Sequence, residues 1–205
     1  MKVVIVSGSH RGNSESGRVC SFIKGRLAAL GIDEDASIVD LGRMQLPDWD
    51  EAVWSENAAQ WKAPWMPVYD LLESCDAVIP VTPEWSGMVP PRLKNLFLVV
   101  SSIGKALAHK PGYIVSVSAG INGAYPVLEL RSSSYKNLNL CYIPEHLIVR
   151  NVKNVFLAGE PSSEEDRYLR NRLDYGLKLL GQYADALKLV RLSGVIDHKS
   201  FPNGM

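Results

Sequence analysis

Residues 2–31 read KVVIVSGSHRGNSESGRVCSFIKGRLAALG, and three features of that stretch decide what the rest of the chain must be. Residues 2–7 (KVVIVS) are short, β-branched and almost wholly apolar, the pattern of a strand covered on both faces in a parallel sheet. Residues 14–30 carry Val19, Phe22, Ile23, Leu27 and Leu30 near a helical period, with Gly31 as the stop. Between them lies a turn of glycines, hydroxyls and one arginine. A buried strand, a polar turn and an amphipathic helix make the opening half of a βαβ unit.

The same alternation continues. Residues 37–41 (SIVDL), 77–82 (AVIPVT) and 112–118 (GYIVSVS) read as strands, and 140–149 hold a fifth. Helical patterns occupy 68–74, 91–103 and 124–137. A long last helix over 163–192 has Leu169, Leu173, Leu177, Leu180, Ala184 and Leu187 on one face. Strand alternating with helix five times implies right-handed crossovers, a parallel sheet and helices on both faces. Residues 1–192 are expected to form one domain and 193–205 a surface tail. The stretch 42–67 breaks the rhythm and holds Trp49, Trp54, Trp61 and Trp65, four of the five tryptophans. Core cover and a pocket-or-interface role are equally open for it.

Composition narrows the function. Of 205 residues 46% are hydrophobic, enough for a full core. Twenty-two basic residues balance 22 acidic ones, so the charge excess that steers a nucleic-acid or anionic-membrane binder is missing, and neither partner is expected. No apolar run approaches the roughly 20 residues of a membrane span. The N-terminus has no signal-peptide pattern, so a cytoplasmic protein is expected. Cys20, Cys75 and Cys141 are too scattered for a disulfide framework or zinc site and read as buried small hydrophobes. His109, His146 and His198 show no metal spacing or hydrolase constellation. His10 reads as a solvated side chain, and the charged run 164–172 as the solvated start of the last helix.

In an open doubly wound sheet, ligands sit beyond the carboxyl ends of the strands, which directs attention to three turns. The first, SGSHRGNS, combines Gly8 and Gly12 with Ser9, Asn13, Ser14 and Ser16 at a helix N-terminus, where free N–H groups favour an anion. Arg11 adds a permanent charge able to pair with phosphate oxygens. Capping by Ser14 explains one hydroxyl and leaves the rest of the cluster without a reason, so a monophosphate is the expected ligand. The second, TPEWSGMVPPRLKN, is stiffened by Pro83, Pro90 and Pro91 and opened at Gly87. The third, SAGINGA, again joins Ser118 to Gly120 and Gly123.

GSHRGNS at 8–14, PEWSGMVPPRLKN at 83–95, SAGINGA at 118–124 and IPEHL at 143–147, in that order and spacing, resemble the NADPH-dependent FMN reductase family, which includes quinone, chromate and azo reductases. The resemblance implies a flavodoxin-like three-layer α/β sandwich whose five-stranded parallel sheet runs in the order 2-1-3-4-5. It implies that Ser9, Arg11, Ser14 and Ser16 hold the phosphate of FMN, that Pro83, Glu84, Trp85, Ser86 and Gly87 line the isoalloxazine, and that Ser118 and Gly120 lie near its far edge. Trp85 and Ser86 stand where the family usually has Tyr and Asn, Ser16 replaces a common Asn, Ala124 a second Gly, and Leu98 an Asp.

The implied activity moves hydride from NADPH or NADH to FMN and on to a small-molecule acceptor, a quinone, flavin, azo compound or metal ion. No side chain is then needed as acid, base or nucleophile. A homodimer or homotetramer is the implied assembly. Two other classes share the fold: a flavodoxin-like electron carrier, commonly far more acidic than this chain, and a flavin-free interaction protein.

Overall fold

The first strand, β1 (Val3–Ser7), is buried at every position. Val4 and Val6 enter an apolar cluster on one face of the sheet and Val3 and Ile5 a second cluster on the other, which is why the run is apolar throughout rather than alternating. The computed structural model describes residues 1–204. In it β2 (Ser37–Asp40), β3 (Ala77–Pro83), β4 (Pro111–Val117) and β5 (Cys141–Val149) join β1 in one sheet, every pairing parallel, in the order β2-β1-β3-β4-β5.

Helices cover both faces. On one lie α1 (Glu15–Ala29) and α6 (Glu164–Leu192), burying Val19, Ile23, Leu27, Leu169, Leu173, Leu177 and Leu180. On the other, α3 (Met66–Ser74), α4 (Pro91–Ile103) and α5 (Ala124–Ser133) bury Leu72, Leu93, Leu96, Val100, Val127 and Leu130. Each of these aliphatic side chains contributes about 1.5–3 kcal/mol by leaving water. Because the chain leaves the carboxyl end of β1 for α1 on one face and that of β3 for α4 on the other, it diverges above the β1–β3 pair and opens a crevice at the carboxyl ends of the strands.

The irregular stretch after β2 contains a 3-10 turn (Glu51–Trp54), the short α2 (Ala58–Lys62) and a second 3-10 turn (Ala63–Trp65). Its tryptophans divide. Trp65 is buried in the core, Trp49 is half-buried and Trp54 exposed. Asn95 of the Leu-Lys-Asn triplet accepts the Trp49 amide at 2.7 Å, and the Trp49 indole N–H reaches Ser102 Oγ at 2.8 Å, so this segment is fastened over α4.

IPEHL forms an irregularity in β5. Gly112 pairs with Tyr142 and Ile114 with His146, so two steps on β4 face four on β5 and residues 143–145 bow outward. Arg131 of α5 donates to the carbonyls of Ile143 (2.7 Å), Pro144 (3.0 Å) and Glu145 (3.4 Å), supplying partners the ladder no longer provides. Arg172 of α6 holds the Glu145 carboxylate at 2.6 Å. Among the described residues no helix is long and apolar enough to cross a membrane.

Candidate functional site

All three turns lie at the carboxyl end of the sheet and lock together. In the first, Gly8 donates to Val81 O at 2.9 Å and sits so close to α4 that a Cβ would lie 2.8 Å from Leu93 Cδ2; a larger residue here would make the buried Leu93 side chain shift. Ser9 is buried and its Oγ accepts the Arg11 amide at 3.1 Å. Ser14 is the N-cap of α1, its Oγ accepting from Gly17 N at 3.1 Å. Capping is thus real, yet each hydroxyl keeps its own proton to donate. Ser16 is buried in the first turn of α1. The amides of Gly12, Asn13 and Ser14 take no acceptor from the chain among the described residues. Three free N–H groups beside Arg11 at a helix N-terminus are the donor set a phosphate requires.

The second turn is a hairpin. Trp85 and Met88 exchange both backbone hydrogen bonds, at 3.1 and 2.9 Å, with Ser86 (φ 51°) and Gly87 (φ 78°) at the tip. Positive φ at both central residues is the type I′ geometry, for which Asn-Gly is the preferred pair. The Ser86 and Gly87 amides are left free among the described residues. Ser86 fits this conformation less well than Asn. Ser86→Asn is therefore expected to raise stability by about 0.5–1 kcal/mol, read as an increase in the urea midpoint; a decrease would mean that the hairpin does not constrain the residue.

Two carboxylates tie this hairpin to the third turn. Glu84 accepts the amide of Gly123, the N-cap of α5, which has no side-chain cap of its own. Glu129 of α5 reaches back to Val89 N at 2.7 Å and pairs with Lys94 at 3.0 Å. The Glu84 side chain therefore braces the turns. Any contribution to a ring site comes from its backbone and from Trp85, Ser86 and Gly87. In the third turn the buried Ser118 accepts from Gly120 N at 3.2 Å, and both residues bond the segment after β5 through Val152 N and Asn151 N. Pro83 closes β3 beneath the hairpin.

Sequence reasoning missed three contributors. His10 does not point into solvent: its Nε2 accepts the Arg92 amide at 2.9 Å, and its ring meets Trp85 edge-on at 4.9 Å. The Arg11 guanidinium lies over the same indole at 5.6 Å. Gly42, in the stretch after β2, backs directly onto the Arg11–Gly12 peptide. Arg43 donates to Gly12 O at 3.1 Å. His109 and His198 stack with centroids 5.5 Å apart, just before β4 begins and so at the opposite end of the sheet. Burial pushes the Cys20 thiol up and that of Cys75 up to about 11, so both stay protonated.

Comparison with known proteins places the family and the fold. Residues 1–154 match the family model described as NADPH-dependent FMN reductase. No curated sequence is similar enough to the chain to count as a match. Among solved structures, FerB, a flavoenzyme NAD(P)H:(acceptor) oxidoreductase from Paracoccus denitrificans, is 18% identical, covers 89% of this chain and 98% of its own, and superposes with a TM-score of 0.70. An oxidoreductase from Corynebacterium diphtheriae is 12% identical over 90% and 97% of the two chains, with a TM-score of 0.67. An azoreductase from Bacillus anthracis str. Sterne is 13% identical over 91% and 99%, with a TM-score of 0.57. At these identities the structures establish the shared flavodoxin-like fold.

Proposed function

Because the chain belongs to the NADPH-dependent FMN reductase family, with FMN as cofactor and NAD(P)H as electron donor, we propose that it reduces a small-molecule acceptor of the quinone, flavin, azo or metal-ion class in the cytoplasm. The observation that carries this is the set of unspent donors on two touching turns. Gly12, Asn13 and Ser14 offer amides beside Arg11, and Ser86 and Gly87 offer theirs at the hairpin tip. When bound, FMN supplies the hydride-accepting and electron-donating chemistry.

The chain's own residues then bind and orient. Ser9, Arg11, Ser14 and Ser16 fix the phosphate end. Pro83, Glu84, Trp85, Ser86 and Gly87 form the wall for the ring, with amide N–H groups available to its polar edge, and Ser118 and Gly120 close the far side. The indole of Trp85, already flanked by His10 and Arg11, shields one side of the site from water. Cross-bracing by Glu84 and Glu129 keeps the wall in place before the cofactor arrives, so little ordering cost remains at binding.

The deciding experiment is a visible spectrum of the purified protein with FMN, before and after NADPH or NADH under nitrogen. Rapid bleaching of bound flavin supports the reductase; bound flavin that neither nicotinamide reduces points to an electron carrier, and a protein that takes up no FMN overturns the reading. Arg11→Ala is expected to weaken FMN by about 1–3 kcal/mol, the scale of a charge-assisted hydrogen bond. Unchanged affinity in a fluorescence titration would put the phosphate elsewhere.

The outer face of α4 and α5 exposes Leu98, Tyr125 and Leu128, continued by Ile121 and Met88 beside the turns, and an open groove of about 270 Å³ lies between α4 and the loop after α5, where Phe97, Leu98 and Leu138 sit among Lys94, Ser101 and Lys136. Apolar surface gathered in this way marks an association site. The protein is expected to sediment as a homodimer or homotetramer; a monomer at micromolar concentration would overturn that expectation.

A further inference from the structure

His10, on the first turn, reaches both other walls of the site. Its acceptor nitrogen meets the amide of Arg92, the second residue of α4 and one of the N–H groups that a helix leaves without an intrahelical partner. Arg92 is itself anchored, its guanidinium donating to Leu41 O at 2.8 Å and Met44 O at 3.3 Å. The imidazole also packs against Trp85 of the hairpin. One ring thus joins the phosphate turn, the start of α4 and the ring-binding hairpin. A nitrogen that accepts a hydrogen bond carries no proton, so this role requires the neutral ring with its proton on Nδ1.

We propose that neutral His10 is a positioning residue that holds the phosphate turn against α4 and the hairpin, and that protonating it breaks this tie and weakens FMN binding. The proposal rests on the assignment of the turn to the FMN phosphate. A protonated ring turns an acceptor into a donor and sets a cation against the positive end of α4. The charged groups facing it are Arg92 on α4, Arg11 on its own turn and Asp48 from the segment after β2. Burial and Arg92 disfavour the imidazolium and outweigh the opposing pull of Asp48, so the ring titrates below its ordinary value.

The test is FMN affinity between pH 8 and pH 5 for the native protein, His10→Gln and His10→Ala. Gln retains an acceptor that does not titrate, while Ala has none. FMN's own phosphate titrates near pH 6 in all three, so the informative quantity is the ratio of native protein to His10→Gln. At pH 8 that ratio is expected to stay within about threefold, with His10→Ala about tenfold weaker, the scale of one hydrogen bond. On acidification the native protein should lose about a further tenfold that His10→Gln does not. A ratio constant with pH, or one rising as the imidazolium attracts phosphate, overturns the proposal. Nitrogen NMR of the flavin-stripped protein separates this from failure of the site assignment. An Nδ1–H tautomer in a protein that binds no FMN upholds the tie and overturns the FMN site, whereas an Nε2–H tautomer overturns the tie itself.

Discussion

Asp166→Ala is expected to lower stability by about 3–5 kcal/mol, the cost of breaking a buried, fully bonded ion pair from one side. Asp166 is completely buried on the first turn of α6. Its carboxylate accepts from Phe156 N and Ser162 N, both at 2.9 Å, and from Arg170 twice at 3.1 Å. Arg170 in turn donates to Leu157 O and Gly159 O and lies over the Phe22 ring at 5.1 Å. From α1, Arg18 reaches Phe156 O at 2.7 Å and Val152 O. Removing the carboxylate leaves a guanidinium without its counter-ion and the Phe156 and Ser162 amides without partners, loosening the segment between β5 and α6. Urea unfolding monitored by circular dichroism would show the loss as a lower midpoint with unchanged slope. A shift below about 1 kcal/mol would mean the network is not cooperative.

The same carboxylate predicts a pH dependence. Burial opposes its charge, but the hydrogen bonds from Arg170, Phe156 and Ser162 win, holding its pKa below the ordinary carboxylate value. A depressed folded-state pKa contributes stability that is complete above the unfolded value near 4 and is lost as pH falls through the folded one. The native protein should therefore lose stability below about pH 4 by a component absent from Asp166→Ala.

Gly42→Ala is expected to weaken FMN about a hundredfold, or about 2.7 kcal/mol, although Gly42 is not among the residues assigned to the cofactor. A Cβ there would lie 2.6 Å from the Arg11 carbonyl carbon and 3.1 Å from Gly12 N. Both are backbone atoms, which no rotamer change can move aside, so the methyl group must push the Arg11–Gly12 peptide and with it the free amides of the phosphate turn. Overpacking of this kind costs about 1–3 kcal/mol of stability, leaving a folded protein for titration. Native affinity in that variant would show that the turn shifts without consequence.

What the sequence disclosed depended on how local the causes were. β1, the turn after it and α1 are contiguous, and their periods, glycines and Ser14 cap all point the same way. Five apolar runs with helices between them were enough for the sheet. The failures are tertiary. His10 reads as a solvated side chain because its partner Arg92 lies 82 residues away. Gly42 sits in an irregular stretch, where a glycine has many reasons to occur, and its closeness to Arg11 exists only after folding. Asp166 falls in a charged run whose pattern reads as solvated; its spacing to Arg170, four residues on, was the available signal. The tryptophans stayed ambiguous because indoles serve both core and surface, and here they do both.

The bowed segment of β5 bears on what this protein does when crowded. A parallel sheet ends in two rims whose free amides and carbonyls invite a foreign strand. Here one rim is only the four residues of β2. The other is bent at Pro144, with three successive carbonyls already taken by Arg131. Neither offers the long flat template that nucleates fibrils, so concentrated solutions are expected to resist amyloid formation.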